Sequence, residues 1–272
     1  MRNPWKRSPL GKPNEKKGIR VKALFFGINI ARQDNSSFIS LQLRPKTTER
    51  MIPLSILLKT GQYDIQISDK PVKVVVRDSV VTVNSCVDND LTPKLRNQPP
   101  VVGLDLHSRK NRLGGPSTNS LLVLCIDDYC LVVQLKYVGK IPGYLKRFLG
   151  DENICFVGVD VDRKLSRGIP SSPDPLVCNT AVELSHLAAR IRKKPSLLNG
   201  DIEALAKEVE VHCETAASGG FCAPQVNHEA RVFPEDEVKA LVYDAYLCYQ
   251  IGKSLVKELP PARKLPREEK KK

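Results

Sequence analysis

Two apolar runs that end in aspartate, followed far downstream by an aspartate within a long helical pattern, constrain this chain more than any other feature. The first run is Val101-Val102-Gly103-Leu104-Asp105, and the second, Ile154-Cys155-Phe156-Val157-Gly158-Val159, leads into Asp160 and Asp162. Both have the length and β-branched content of buried strands. The third acid, Asp244, lies in the segment opened by Pro234, whose Glu235, Asp236 and Glu237 fall in a first turn where the helix dipole favours negative charge. The order is therefore strand with acid, strand with acid, helix with acid.

The segments between these anchors fill in a mixed sheet with helices. Asp64-Ile65-Gln66-Ile67, Val72 to Val76 and Val80 to Val83 read as strands joined by short turns, and Lys94 to Pro100 as a turn-rich connector. Ser120 to Ile126 and Cys130 to Gln134 flank Asp127-Asp128 as a hairpin would. Helical spacing appears in Ile141 to Leu149, in Ala181 to Ile191 and in Asp201 to Val209. Residues 212 to 226 are rich in Gly and Ala and read as a loop, whereas residues 1 to 20, with Pro4, Pro9 and Pro13 among lysines, lack apolar periodicity and are expected to be disordered. A mixed α/β sheet flanked by helices is the economical architecture. Residues 21 to 60 carry too short a pattern to name a fold.

Hydrophobic residues at 41% and charged residues at 27% are those of a globular protein able to bury a core within 272 residues. No apolar run approaches the ~20 residues that cross a bilayer, and no secretory signal is visible, so an intracellular protein without a membrane partner is expected. The net charge of +13 is concentrated at the ends. Eight Lys or Arg against Glu15 in residues 1 to 22, and seven against three acids in residues 257 to 272, leave only +2 for everything between. Such tails bind phosphate by counterion release without sequence preference, and their Lys/Arg clusters also suit nuclear import. The eight cysteines show no Cys-x-x-Cys pair and several fall in apolar patterns, so buried thiols are expected rather than a zinc site.

With Asp105 on one strand, Gly158 before Asp160 and Asp162 on another, and Ala230-Arg231-Val232-Phe233-Pro234-Glu235-Asp236-Glu237-Val238 leading to Asp244, the chain resembles the 3'-5' exonucleases of the DEDD superfamily, the group of RNase D. It is most similar to the Werner-syndrome-type exonuclease domain in its plant-type branch. The resemblance covers about residues 61 to 257 and implies a ribonuclease H-like fold, between a basic extension at 1 to 60 and a basic tail at 258 to 272. It also implies a site in which Mg²⁺ or Mn²⁺, two ions about 4 Å apart, activate water against a phosphodiester and are held by carboxylates. On that pattern Asp105 and Asp244 are the catalytic acids, and Asp105, Asp162 and Asp244 are the metal ligands, with Asp160 as the alternative to Asp162.

The departures from the pattern are as informative. The first motif, Asp-x-Glu, is here Asp105-Leu106-His107, and the third, Tyr-x-x-x-Asp, has Ala240 in place of the Tyr. The second, Gly-Val-Gly-x-x-x-Asp-x-x-Lys-Leu, is shorter here between Val159 and Lys164-Leu165, so that neither Asp160 nor Asp162 falls in register from both flanks, and His228 stands where the family has Trp. A neutral imidazole is a poor magnesium ligand, and losing a ligand together with a water-orienting phenol removes two contributions of ~10²-fold each or more. The expectation is a nucleic-acid-binding protein, of DNA or RNA, with degenerate catalytic motifs and weak or lost cleavage, in the nucleus or cytoplasm. An active exonuclease and a protein-interaction scaffold are the rival readings.

Overall fold

In the computed structural model of the chain, the described residues are 53–96, 99–108, 120–166, 176–213 and 226–260. The chain divides into two units between Arg50 and Met51, and all described residues belong to the second. The basic extension up to residue 52, the tail from residue 261 and most of the 212–226 segment lie outside the described residues.

The strands are β1 (Gln62–Ile67), β2 (Lys70–Arg77), β3 (Val101–Ser108), β4 (Ser120–Ile126), β5 (Tyr129–Gln134), β6 (Cys155–Gly158) and β7 (Ala181–Glu183). They form one mixed sheet in the order β1-β2-β5-β4-β3-β6-β7. From β3 onward the order is β5-β4-β3-β6-β7 with β4 alone reversed, which is the ribonuclease H-like arrangement expected. β4 and β5 are buried at every position, as strands covered on both faces are. The helices are α1 (Leu54–Leu57), α2 (Val80–Cys86), α3 (Thr92–Leu95), α4 (Leu135–Val138), α5 (Gly143–Leu149), α6 (Val161–Ser166), α7 (Leu184–Arg192), α8 (Ile202–Glu208) and α9 (Glu235–Lys257).

The two faces of the sheet are covered differently. On one, α5 places Phe148 edge-on against Phe156 of β6, with ring centroids 5.7 Å apart. On the other, α9 lies so close to the sheet that glycine is required at the contact. A Cβ on Gly103 would sit 1.9 Å from the Ala245 carbonyl oxygen and 2.9 Å from the Tyr249 nitrogen, and one on Gly252 would meet Val157 at 2.8 Å. Because side chains alternate along a strand, Gly103, Asp105 and His107 all face α9.

Three local expectations are corrected. Val80 to Val83, β-branched and expected as a strand, begin α2: the Ser79 hydroxyl caps the helix by accepting from the Thr82 N–H, and helical spacing buries Val83, Cys86 and Val87 together. The cap and the tertiary burial override strand propensity. Ala181 to Glu183, expected to start a helix, instead pair with β6 as an edge strand. Cys125 and Cys130, expected as separate thiols, lie directly opposite one another across the β4–β5 hairpin, with Cα atoms 4.2 Å apart, and form a disulfide.

The contact at Gly103 generates a test. Gly103→Ala drives a methyl group into the α9 backbone, which cannot yield as a side chain can, so a loss of about 3 kcal/mol in unfolding free energy is expected by chemical denaturation. A loss below about 0.5 kcal/mol, the range of surface substitutions, would contradict the close approach.

Candidate functional site

The site grows from the C-terminal end of β3, where the strand carries two polar side chains into the space beneath α9. Asp105 is 4% exposed, and an ionised carboxylate so buried requires compensation at both oxygens. Oδ1 accepts from the Lys164 ammonium at 2.6 Å and from the Leu106 N–H at 2.8 Å. Oδ2 accepts from His107 Nε2 at 2.9 Å, whose proton is shared with the Leu241 carbonyl oxygen of α9, also at 2.9 Å. Burial alone would raise the Asp105 pKa, but the hydrogen bonds and charges of His107 and Lys164 outweigh it and hold the carboxyl far below the usual carboxylate range. For His107, burial disfavours the charged ring and Asp105 more than compensates, so its pKa is raised.

Lys164 reaches Asp105 because the β6–α6 turn is tight. Gly158 lets that turn press against β3, since a Cβ there would lie 2.4 Å from the Leu104 carbonyl oxygen and 2.6 Å from Val161. Asp160 then adopts a left-handed backbone at φ 56°, a conformation Asp tolerates, and α6 starts at once. The Glu183 carboxylate accepts the Val161 N–H at 3.1 Å and fixes the start of the helix. One helical turn on, Lys164 projects to Asp105.

The same geometry places the second-motif candidates. Counted back from Lys164-Leu165, the position of the motif's acid is Val161, which is 1% exposed and belongs to the core, whereas counted forward from Gly158 it is Asp162. Asp160 pairs with Arg163 on the surface, and Asp162 is exposed in the first turn of α6. Asp244, solvent-exposed at its outer edge, stands in α9 one turn after the half-buried Ala240. Loss of hydration on its inner side, and then the Asp105 charge, raise its pKa. Asp105, His107, Lys164 and Asp244 are thus brought together, while Asp160 and Asp162 are not part of the cluster. Of the flanking tyrosines, Tyr246 is core and Tyr243 is half-buried with its hydroxyl 3.4 Å from Cys213 Sγ. The His228 ring lies 6.4 Å from that of His107 at a 47° tilt.

These residues do not fit the two-metal cage that the resemblance implies. Both Asp105 oxygens are engaged by internal donors, and His107 donates where a ligand must offer a lone pair. Among the described residues no group of three or more His, Cys, Asp or Glu side chains is placed to hold a metal ion. Lys164 is the residue that sequence reasoning missed. In the sequence it marks only the end of the second motif, and its distance of 59 positions from Asp105 gives no local signal of the pair.

No family model matches the chain, and no curated protein does. Among solved structures it is similar to crystals of the EXD2 exonuclease domain. One is 23% identical with a TM-score of 0.40, covering 69% of this chain and 89% of that one. The same domain soaked in Mn is 23% identical with a TM-score of 0.39, covering 67% and 86%. Soaked in Mg and GMP, it is 24% identical with a TM-score of 0.38, covering 68% and 87%.

The electrostatics of the site predict opposite responses at its two acids. The folded pKa of Asp105 is depressed below its ordinary 3.8, so its pairing stabilises the fold above that pH and fades as pH falls towards the folded value. Asp105→Asn should cost about 3 kcal/mol at pH 7, because it leaves a lysine without its counter-charge, and the difference from the native chain should narrow below pH 3.8. Asp244 has the reverse sign: its raised pKa means that the folded chain disfavours the charge, so Asp244→Asn should stabilise at pH 7 and be neutral below pH 3.8. Urea titrations across pH check both, and equal stability of Asp105→Asn and the native chain at pH 7 would contradict the pairing.

Proposed function

We propose that this chain is a nucleic-acid-binding relative of the DEDD 3'-5' exonucleases in which phosphodiester hydrolysis is weak or lost. The observation that carries the reading is the engagement of the Asp105 carboxylate by Lys164 at 2.6 Å and His107 at 2.9 Å. An acid of the family's hydrolytic centre is here the counter-ion of an internal ammonium. Two replacements support the same conclusion: His107 for the motif's Glu and Ala240 for its Tyr. Two lost contributions of ~10²-fold each already leave turnover about four decades below an intact site.

Binding to DNA or RNA is supported by the basic termini within a net charge of +13. Polycationic ends attract a phosphate backbone through counterion release, and their clusters also suit a protein working in the nucleus. The +2 left between the termini favours, as a second reading, a scaffold whose domain meets protein instead, since a domain that grips a phosphate backbone usually carries a basic face.

Incubation of the pure chain with 3'-labelled and 5'-labelled single strands in Mg²⁺ or Mn²⁺ separates these readings when paired with a binding assay. The expected result is salt-sensitive binding of the strands without stepwise shortening from the 3' end. Processive trimming that disappears in Asp105→Ala would overturn the loss of hydrolysis, and the absence of any binding would leave the scaffold.

A further inference from the structure

The site's own cluster holds no basic side chain free to meet a phosphate, because Lys164 is spent on Asp105. A cationic feature lies two strands away. Pairing across the sheet aligns His107 of β3 with Leu121 of β4, and Leu121 with Gln134, the last residue of β5. The chain then turns into α4, which carries Lys136 and Tyr137. Gln134 donates to the Ala230 carbonyl oxygen at 2.9 Å and the Tyr137 hydroxyl donates to that of Glu229 at 2.8 Å, so the segment before α9 is tied to the end of β5. That segment also carries His228, beside His107, and Arg231. The Arg231 guanidinium lies 4.6 Å from the centre of the Tyr137 ring and the Lys136 ammonium 5.4 Å from it.

We propose that Lys136, Tyr137 and Arg231 form the contact through which the domain holds a single-stranded nucleic acid at the rim of the site. This rests on the nucleic-acid reading above and names the surface that serves it. A tyrosine held by its hydroxyl keeps its ring in a fixed plane, and a guanidinium laid on that ring presents a flat, charged face to a base or a phosphate. Sequence-independent single-strand binders combine these two elements, stacking on an aromatic and neutralisation of the backbone. The cluster borders solvent: the Arg231 side chain is 65% accessible, Lys136 is exposed, Tyr137 is half-buried, and neighbouring Val232 is 77% exposed. Among the described residues Asp78 lies 3.8 Å from Arg231 Nε, and the backbone of Glu229, another acid in the same segment, takes the tyrosine hydroxyl. At 3.8 Å and in solvent, the Asp78 pair is worth little and yields readily to a phosphate.

The test measures anisotropy of labelled oligothymidylate and oligouridylate with the full chain over a salt series. A matched pair of charges, Lys146 and Arg147 on α5, serves as the control: Arg147 also stacks on a tyrosine, Tyr144, but beside Pro100 and Ile154 at the other end of the sheet. The double variant Lys136→Ala with Arg231→Ala should lower the slope of log affinity against log salt by about 1.4, two single-strand phosphate contacts. Lys146→Ala with Arg147→Ala should leave the slope unchanged. Tyr137→Leu, with its folding checked by thermal melting, should weaken binding roughly tenfold at an unaltered slope, as loss of a stacked base does. Equal slope changes in the two double variants would overturn the proposal in favour of diffuse attraction. Native-like binding by the rim variant would overturn it while leaving nucleic-acid binding in place, and a native chain that binds neither oligonucleotide would remove both.

Discussion

The descent of α9 onto β3 at Gly103 is the contact on which the rest of the site depends. With a Cβ at that position the helix backbone could not approach, since the clash is with the Ala245 carbonyl rather than with a movable side chain. The approach lets the Leu241 carbonyl oxygen reach His107 and sets Asp244 where it senses the charge of Asp105. Gly252 repeats the device further along the helix against Val157. The helix therefore contributes geometry through its backbone as much as chemistry through its side chains.

Once the carboxylate of Asp105 is enclosed, something must neutralise it, because an uncompensated charge in that setting costs several kcal/mol. A hydrated divalent ion is one solution, and an ammonium on the neighbouring helix is another. Here the short β6–α6 turn starts α6 early enough for Lys164 to supply the second. The arrangement gives a local fold held by an internal ion pair that occupies the carboxylate. A histidine proton and a backbone N–H complete the coordination of its two oxygens, leaving the group with its four hydrogen-bonding directions largely used.

Much of this was legible in the sequence. β3, β6 and α9 follow from apolar periodicity bounded by Gly, Pro and acids, and the mixed sheet follows from their order. His107 and Ala240 stand out only against the pattern of the resemblance, not by any local signal. What periodicity could not give was α2, where one serine cap reverses the preference of four β-branched residues, or the disulfide between Cys125 and Cys130, which depends on hairpin register. The Asp105–Lys164 pair was hidden for a different reason: it depends on how a shortened turn redirects a helix, a matter of backbone path rather than of residue type. The same path explains why Asp160 and Asp162, adjacent to the motif in sequence, face solvent.

Titration of Mn²⁺ into the native chain, followed by the electron paramagnetic resonance of the free ion, reads out whether Lys164 is the cation of Asp105. A chain whose carboxylate is already neutralised leaves the Mn²⁺ signal at the intensity of buffer, in native protein and in Asp105→Ala alike. Saturable loss of the free signal in the native chain, abolished by Asp105→Ala, would contradict the account.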